Sequence, residues 1–259
     1  MVFPAWDEDL RGLPNPLVRC GLFTAASVSV PRANILDEKV ASLSNYSVSY
    51  SGAELRQDDL SVWLAIVSMG RNQPLGDPIH FTAYRLINDL RWRMHSDTYK
   101  SIKEIIERLK FTSVKLSSVD QKAQYAGSLI RDYLFDDTDA DGKTCWTVRL
   151  EESIARLFVE DTTTLFEWKI RSELGRRATL ANWLFSFYAT HAEPIPYHIS
   201  KIHELSKSDD RRIANFKVNI RAALEKLVTV GFLDSYAIQN DVVHVTRSRR
   251  IQNLKLAAC

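Results

Sequence analysis

Apolar residues recur at steps of three and four along several stretches of this chain, the period of helices with one face turned inward. Between Asp58 and Met69 the positions Leu60, Trp63, Leu64 and Val67 share a side, and Ala178 to Tyr188 forms a second such segment. Ile102, Ile105, Ile106 and Leu109 mark a third helix. Ile213, Phe216, Ile220, Leu224 and Leu227 mark a fourth, running from about Asp209 to Val230. After the third and fourth helices the pattern becomes strand-like. Ser128 to Phe135 and Cys145 to Leu150 follow the third; Phe232 to Ile238 and Val242 to Val245 follow the fourth. The last pair is joined by Gln239-Asn240-Asp241, which reads as a hairpin turn. Trp63, Trp92 and Trp183, large rings at helical spacing, are expected in the core.

These segments form a unit that occurs twice. Asp77-Pro78-Ile79-His80-Phe81 lies over Glu193-Pro194-Ile195-Pro196-Tyr197 at an offset of 116 residues, and Arg85-Leu86 then falls on Lys201-Ile202. Each copy goes on to a Ser-Asp pair, Ser96-Asp97 and Ser208-Asp209. A serine hydroxyl accepts from the free amides of a first turn and an aspartate suits its positive end, so each pair is expected to open the helix that follows. Three helices and then a β-hairpin is the order of a winged helix, whose third helix can enter a major groove while the hairpin lies along the backbone. The expected fold is therefore α+β and mainly helical, with two tandem winged-helix domains. They span 1–150, including an N-terminal extension over 1–50, and 151–259. The alternative is an α+β fold in which the same elements meet by chance.

Charge sharpens this picture. From Ile199 to Cys259, eleven Lys and Arg stand against six Asp and Glu, leaving an acidic remainder in a chain of net charge +2. Opposite the apolar stripe of the fourth helix lie Arg211, Asn215, Val218 and Ala222, flanked by Arg212, Asn219 and Arg221. Arginine can donate twice to guanine, asparagine can pair with adenine, and a small apolar group can meet a thymine methyl, so these residue types suit a groove-reading face. A solvated helix face is the plain alternative. The third helix turns Lys100, Lys103, Glu104, Glu107 and Arg108 outward, a mixed set. Phosphate contacts through Arg91, Arg93, Lys100 and Lys103 are expected there, against a solvated charge network. Arg247, Arg249 and Arg250 follow the second hairpin with no acidic residue after Asp241, and could reach neighbouring phosphates or simply form a loose end.

Signals for other functions are poor. Asp137-Thr138-Asp139-Ala140-Asp141-Gly142 begins like a calcium loop, but Val148 stands where the bidentate glutamate is needed. Gly142-Lys143-Thr144 ends like a phosphate-binding loop, yet Asp137 replaces its first glycine. His198 and His203 read as surface or core-edge residues, and no metal or cofactor set and no catalytic group is assigned. Cys20, Cys145 and Cys259 are too far apart and too few for a disulfide framework and are taken as free thiols. No apolar run is long enough for a membrane span, and the first residues lack the pattern of a signal peptide, so a cytoplasmic protein is expected.

The chain resembles the TrfA family of plasmid replication initiators through blocks spread along its length. They are Trp6-Asp7-Glu8-Asp9-Leu10-Arg11-Gly12-Leu13-Pro14-Asn15, Leu22-Phe23-Thr24, Tyr50-Ser51-Gly52-Ala53-Glu54-Leu55-Arg56, and Phe81-Thr82-Ala83-Tyr84 with Asp89-Leu90-Arg91-Trp92. Leu157-Phe158, Glu193-Pro194, Ser208-Asp209 with Arg212, and Asp241-Val242-Val243-His244 complete the set. The resemblance implies paired winged helices that bind direct repeats, called iterons, in double-stranded origin DNA and help open the adjacent duplex. It also implies recruitment of host proteins such as DnaA and the replicative helicase, and a monomer–dimer balance limiting copy number. Certain relatives carry a clamp-binding motif of the Gln-Leu-x-Leu-Phe kind in an N-terminal extension, and no such pentapeptide precedes the shared blocks in this sequence. The remaining readings are a winged-helix transcriptional regulator and, from a different class, a metal- or nucleotide-dependent enzyme using the 137–144 loop.

Overall fold

The computed structural model describes residues 6–40, 42, 46–118, 124–136, 145–158, 162–191 and 193–248. The chain begins with β1 (Leu10–Pro14), α1 (Asn15–Val18), β2 (Phe23–Thr24), β3 (Asn34–Val40), β4 (Tyr46–Ala53), β5 (Leu55–Arg56) and the first long helix, α2 (Gln57–Met69). It continues through β6 (Ile79–Phe81), α3 (Ala83–Asp89), α4 (Ser96–Lys110), β7 (Ser113–Ser118), β8 (Gln124–Gly127), β9 (Ile130–Asp136) and β10 (Cys145–Leu150). A 3-10 turn over Glu152–Leu157 leads to β11 (Thr163–Glu167), α5 (Trp168–Leu174), α6 (Thr179–Ala189), β12 (Tyr197–His198), α7 (Ile199–Ser206), α8 (Ile213–Thr229), β13 (Leu233–Gln239) and β14 (Val242–Arg247).

The internal repeat is a repeat of topology. Helix, short strand, two helices and hairpin recur as α2-β6-α3-α4-β9-β10 and as α6-β12-α7-α8-β13-β14. In both, the short strand pairs antiparallel with the final strand, giving sheet orders β6-β10-β9 and β12-β14-β13. Each short strand lies at a sheet edge and is entered just after a proline, Pro78 or Pro196, whose missing N–H is not needed there. The second hairpin turns at Asn240 and Asp241, with φ of 48° and 63°. Asparagine and aspartate tolerate this left-handed backbone better than other non-glycine residues, which explains the two-residue turn.

Two expected caps shift. His95, not Ser96, caps α4, its Nδ1 accepting from the Asp97 amide. Ser208 does not cap α8, which starts four residues after Asp209. The left-handed Lys207 ends α7, and the Ser208 hydroxyl accepts from the Asp210 amide within the connecting turn. The later start leaves Ile213 exposed, although the rest of its stripe, Phe216, Ile220, Leu224 and Leu227, is fully buried. Ile102, Ile105, Ile106 and Leu109 of α4 are buried as expected.

The first copy alone carries the β7–β8 insertion, which joins β3 and β4 in an antiparallel sheet of order β3-β4-β7-β8. Nor do the first residues form a simple extension. β1 pairs antiparallel with β11, Leu10 opposite Glu167, and β2 runs parallel to β5. Arg11 reaches Asp89 at 2.6 Å, and Arg19 donates to Thr190 at the end of α6.

At the centre, α2 and α6 are buried on nearly every side rather than on one stripe. Trp63 and Trp183 lie in this core as expected, whereas Trp92 is only half-buried. On α6 the Trp183 and Phe187 rings stack at 4.8 Å, and Phe185 packs on Phe232 of the second unit at 4.4 Å. Arg171 of α5 ties the two helices together: it is 1% exposed and donates to Asn182 O and Ser186 Oγ of α6 and to Gln57 Oε1 and Ser61 Oγ of α2. Burial with no carboxylate partner lowers its pKa to about 9.

A second polar cluster surrounds the start of α2. Asp58 pairs with Arg32 at 3.0 Å and Arg176 at 3.2 Å; Asp59 pairs with Arg32 at 2.7 Å and Arg108 at 2.9 Å. Asp59 also accepts from the Arg56 amide, closing the first turn of the helix. Arg108, expected on the outer face of α4, is instead drawn inward by this buried carboxylate. Cys20 and Cys145 are free thiols, and burial pushes Cys20 up to about 12. Among the described residues no helix is long and apolar enough to cross a membrane.

Candidate nucleic-acid interface

The longest helix of the second unit presents its polar side to solvent. Phe216, Ile220, Leu224 and Leu227 hold α8 against the core, and His203 of α7 packs on Phe216 with ring centroids 4.6 Å apart. Asn215, Val218, Asn219, Arg221 and Ala222 are left on its outer side, all exposed, whereas Arg211 and Arg212, expected on the helix face, stand exposed in the turn before it because the helix starts only at Ile213. Val218 is 64% exposed, an uncovered apolar group in the middle of this face. Arg211, Arg212 and Asn215 make no side-chain hydrogen bond or ion pair among the described residues. Two others are partly engaged: the Asn219 amide donates to both Asp210 carboxylate oxygens, and Arg221 donates to Lys217 O. The helix starts without a side-chain cap and without an acidic residue in its first turn, so its positive end lies beside Arg211 and Arg212.

The β13–β14 hairpin is fastened to this helix at its turn. Lys217 Nζ lies 2.6 Å from Asp241, and that hydrogen bond holds the Asp241 carboxyl below its ordinary value. The Asp241 carbonyl accepts from the Ile199 amide at the start of α7. Hairpin and helix α8 are thus held as one surface.

Arg247 does not belong to it. Its side chain is 7% exposed, lies over the Phe232 ring at 5.8 Å, and donates to the carbonyls of Ala189 and His191 at the end of α6. With Nη1 committed to the free carbonyls of a helix terminus and the rest of the guanidinium buried, Arg247 is not presented to a phosphate. The expectation of a DNA contact is corrected to a structural role. Arg247→Ala should lower stability by about 1 to 3 kcal/mol by leaving those carbonyls unsatisfied. It should leave the salt dependence of any DNA binding unchanged; a shallower salt slope in a variant of unchanged stability would sink the assignment. Arg249 and Arg250 lie outside the described residues, as do Cys259 and the 137–144 loop.

In the first unit the expected residues spread over different surroundings. Lys100 is exposed and makes no side-chain bond, while Lys103 lies over the Phe135 and Trp146 rings of the β9–β10 hairpin at 5.2 and 5.6 Å. Arg91, left-handed at φ 54°, pairs with Glu173 at 3.4 Å, both side chains well exposed. Arg93 is exposed and makes no side-chain bond. Arg91 and Arg93 line a cleft of 580 Å³ between the units, where Arg176, Arg177 and Lys226 join them. Sequence reasoning missed these three. Arg176-Arg177 is visible in the sequence as a basic pair before α6, but only the packing of the units brings it opposite Arg93. Among the described residues no group of His, Cys, Asp and Glu comes together to hold a metal ion.

The model of the family described as TrfA protein matches residues 2–247 of this chain. The plasmid replication initiator protein TrfA of Escherichia coli is 28% identical over 244 residues, covering 93% of this chain and 63% of that protein. The chain therefore spans less than two thirds of the length of this curated relative. In fold it is similar to crystal structures of domains 2 and 3 of RctB. A selenomethionine derivative gives a TM-score of 0.58 at 12% identity, covering 87% of this chain and 95% of the other. A second structure of these domains gives 0.55 at 13% identity, covering 84% and 91%.

Proposed function

The chain belongs to the TrfA family, and from that premise we propose that it is a plasmid replication initiator that binds directly repeated duplex DNA at an origin. In this reading the two copies of the repeat, in 1–150 and 151–259, are winged-helix units on one face of the duplex, and α8 lies in the major groove. The carrying observation is the outward face of α8 and the turn that leads into it, where Arg211 and Arg212 before the helix and Asn215 and Val218 on it stand exposed beside a hairpin fastened to the same helix. Bound DNA then positions the protein for duplex opening and for contact with host proteins such as DnaA and the helicase, and self-association withdraws monomers from the origin. No catalytic group is required of the chain.

The first test is binding to a duplex from the plasmid's own direct-repeat region against scrambled DNA of equal length, over a salt series. Selective binding with one protein per repeat is the expected result; equal affinity for both duplexes would overturn base reading by α8. Within that assay, Arg211→Ala should cost about 1 to 3 kcal/mol on the repeat and relax preference at one base pair. An Arg211→Ala protein that keeps the wild-type preference at every position would remove Arg211 from the reading set.

A further inference from the structure

Two clefts meet at the root of α6. One, of 370 Å³, runs beside α8 past Asn219, Ala222 and Lys226 to Arg177 and Ala178. The other is the 580 Å³ cleft between the units. Arg177, Ala178 and Lys226 line both, so the outward side of α8 continues as one groove to the connection between α3 and α4. Of the residues lining the cleft between the units, five are basic and none is acidic.

These five are not equally available. Arg176 is committed: its guanidinium lies 4.5 Å from the centre of the Trp92 ring, pairs with buried Asp58 and donates to Ser101. Arg91 keeps its exposed pair with Glu173. Arg93, Arg177 and Lys226 are exposed and make no side-chain hydrogen bond or ion pair among the described residues. They come from three elements, the α3–α4 connection, the α5–α6 connection and the last turns of α8, all braced by one core. Like charges held on a rigid frame repel one another and raise the local potential, and a bound polyanion relieves that repulsion. Carboxylates Asp209 and Asp210 occur only in the first cleft, where Asp210 accepts from Asn219 and Asp209 accepts from the Ser27 amide.

The groove is open and continuous with the face assigned to base reading, which suits an extended partner rather than a small enclosed ligand. We infer that Arg93, Arg177 and Lys226 form a phosphate clamp, gripping the sugar-phosphate backbone of duplex DNA between the stretches met by the two units. The inference rests on the DNA-binding reading given above and deepens it. The clamp supplies affinity without sequence information and sets the position of the two units along the duplex.

The test compares the full chain with an Arg93→Ala, Arg177→Ala, Lys226→Ala variant on repeat and scrambled duplexes across a salt series. All three side chains are exposed, so the variant's thermal unfolding should match wild type. Losing the clamp should reduce the slope of log affinity against log salt by about 2 to 3 and weaken both duplexes by the same factor. Unchanged slope and affinity, with repeat selectivity intact, would overturn the clamp and leave the initiator reading standing. A changed ratio between the two duplexes would also overturn it, because these residues would then be reading bases. Wild type without repeat preference but with the slope reduction in the variant would keep the clamp and remove base reading by α8. Wild type binding neither duplex would overturn both.

Discussion

Asp59→Ala is expected to lower folding stability by about 3 to 5 kcal/mol, since removing one member of a buried ion cluster leaves its partners' charges uncompensated. Arg108 loses its carboxylate, Arg32 keeps only Asp58, and the Arg56 amide loses the acceptor that closes the first turn of α2. The apparent melting temperature should fall by roughly 6 to 20 °C for a chain of this size, and urea unfolding at pH 7 gives the free energy directly. A loss below about 1 kcal/mol would mean that the cluster holds nothing the packing does not already hold.

The same carboxyl carries a pH signature. Burial, followed by the neighbouring Asp58 charge, raises Asp59 from 3.8 to about 6, against the pull of Arg32 and Arg108. Burial also opposes ionisation of Asp58, but Arg32 and Arg176 outweigh it and hold Asp58 below its ordinary value. A raised carboxyl binds its proton more tightly in the native state, so its stabilising share is complete below about pH 3.8 and is lost as pH rises through about 6. Asp58 has the opposite sign, its share being lost on acidification. Asp59→Asn cannot titrate at this position. Its deficit relative to wild type should therefore shrink between pH 4.5 and pH 7, and urea midpoints at those two values check the sign.

Phe216→Ala is expected to cost about 3 to 5 kcal/mol, the usual range for deleting a fully buried aromatic ring. Phe216 is the first core residue of α8 and carries the contact with His203, whose Nε2 lies 2.8 Å from Asp210 O in the turn before the helix. Loss of the ring should loosen the first turns of α8, which carry Asn215, and the turn before them, which carries Arg211 and Arg212. Repeat selectivity should then fall more than binding to scrambled DNA, which depends on phosphate contacts alone. Stability measured by denaturation and selectivity measured on the two duplexes read this together; a destabilised variant with wild-type selectivity would separate the packing of Phe216 from the reading face.

The architecture of the repeat was legible because its signals are local. The apolar stripe of α4 and the hairpin turn at Asn240-Asp241 each depend on neighbours a few residues away, whereas the second Pro-Ile pair falls short of its strand, which begins after Pro196 and leaves Ile195 exposed. The exposed face of α8 was legible for the same reason, since fixing its buried side fixes the opposite one. The misses have different causes. Ser208 offered a cap, but the left-handed Lys207 and the turn to Asp210 competed for the same residues and delayed the helix to Ile213. Arg247 looked like one of a basic run, and only the end of α6 arriving beside it turned its charge inward.

By itself the sequence determined the repeated order of helix, strand and hairpin, the inward stripes of α4 and α8, and the residue types displayed on the outer face of α8. Each follows from the 3.6-residue and two-residue periods and from turn chemistry, which act within a few residues. Tertiary structure alone decided the rest. It paired β1 with β11, assembled β3 and β4 with β7 and β8, surrounded α2 and α6 on nearly all sides, and set Arg177 and Lys226 opposite Arg93. Those contacts join segments far apart in the chain, and their energy depends on burial and charge separation in three dimensions, which local spacing does not encode.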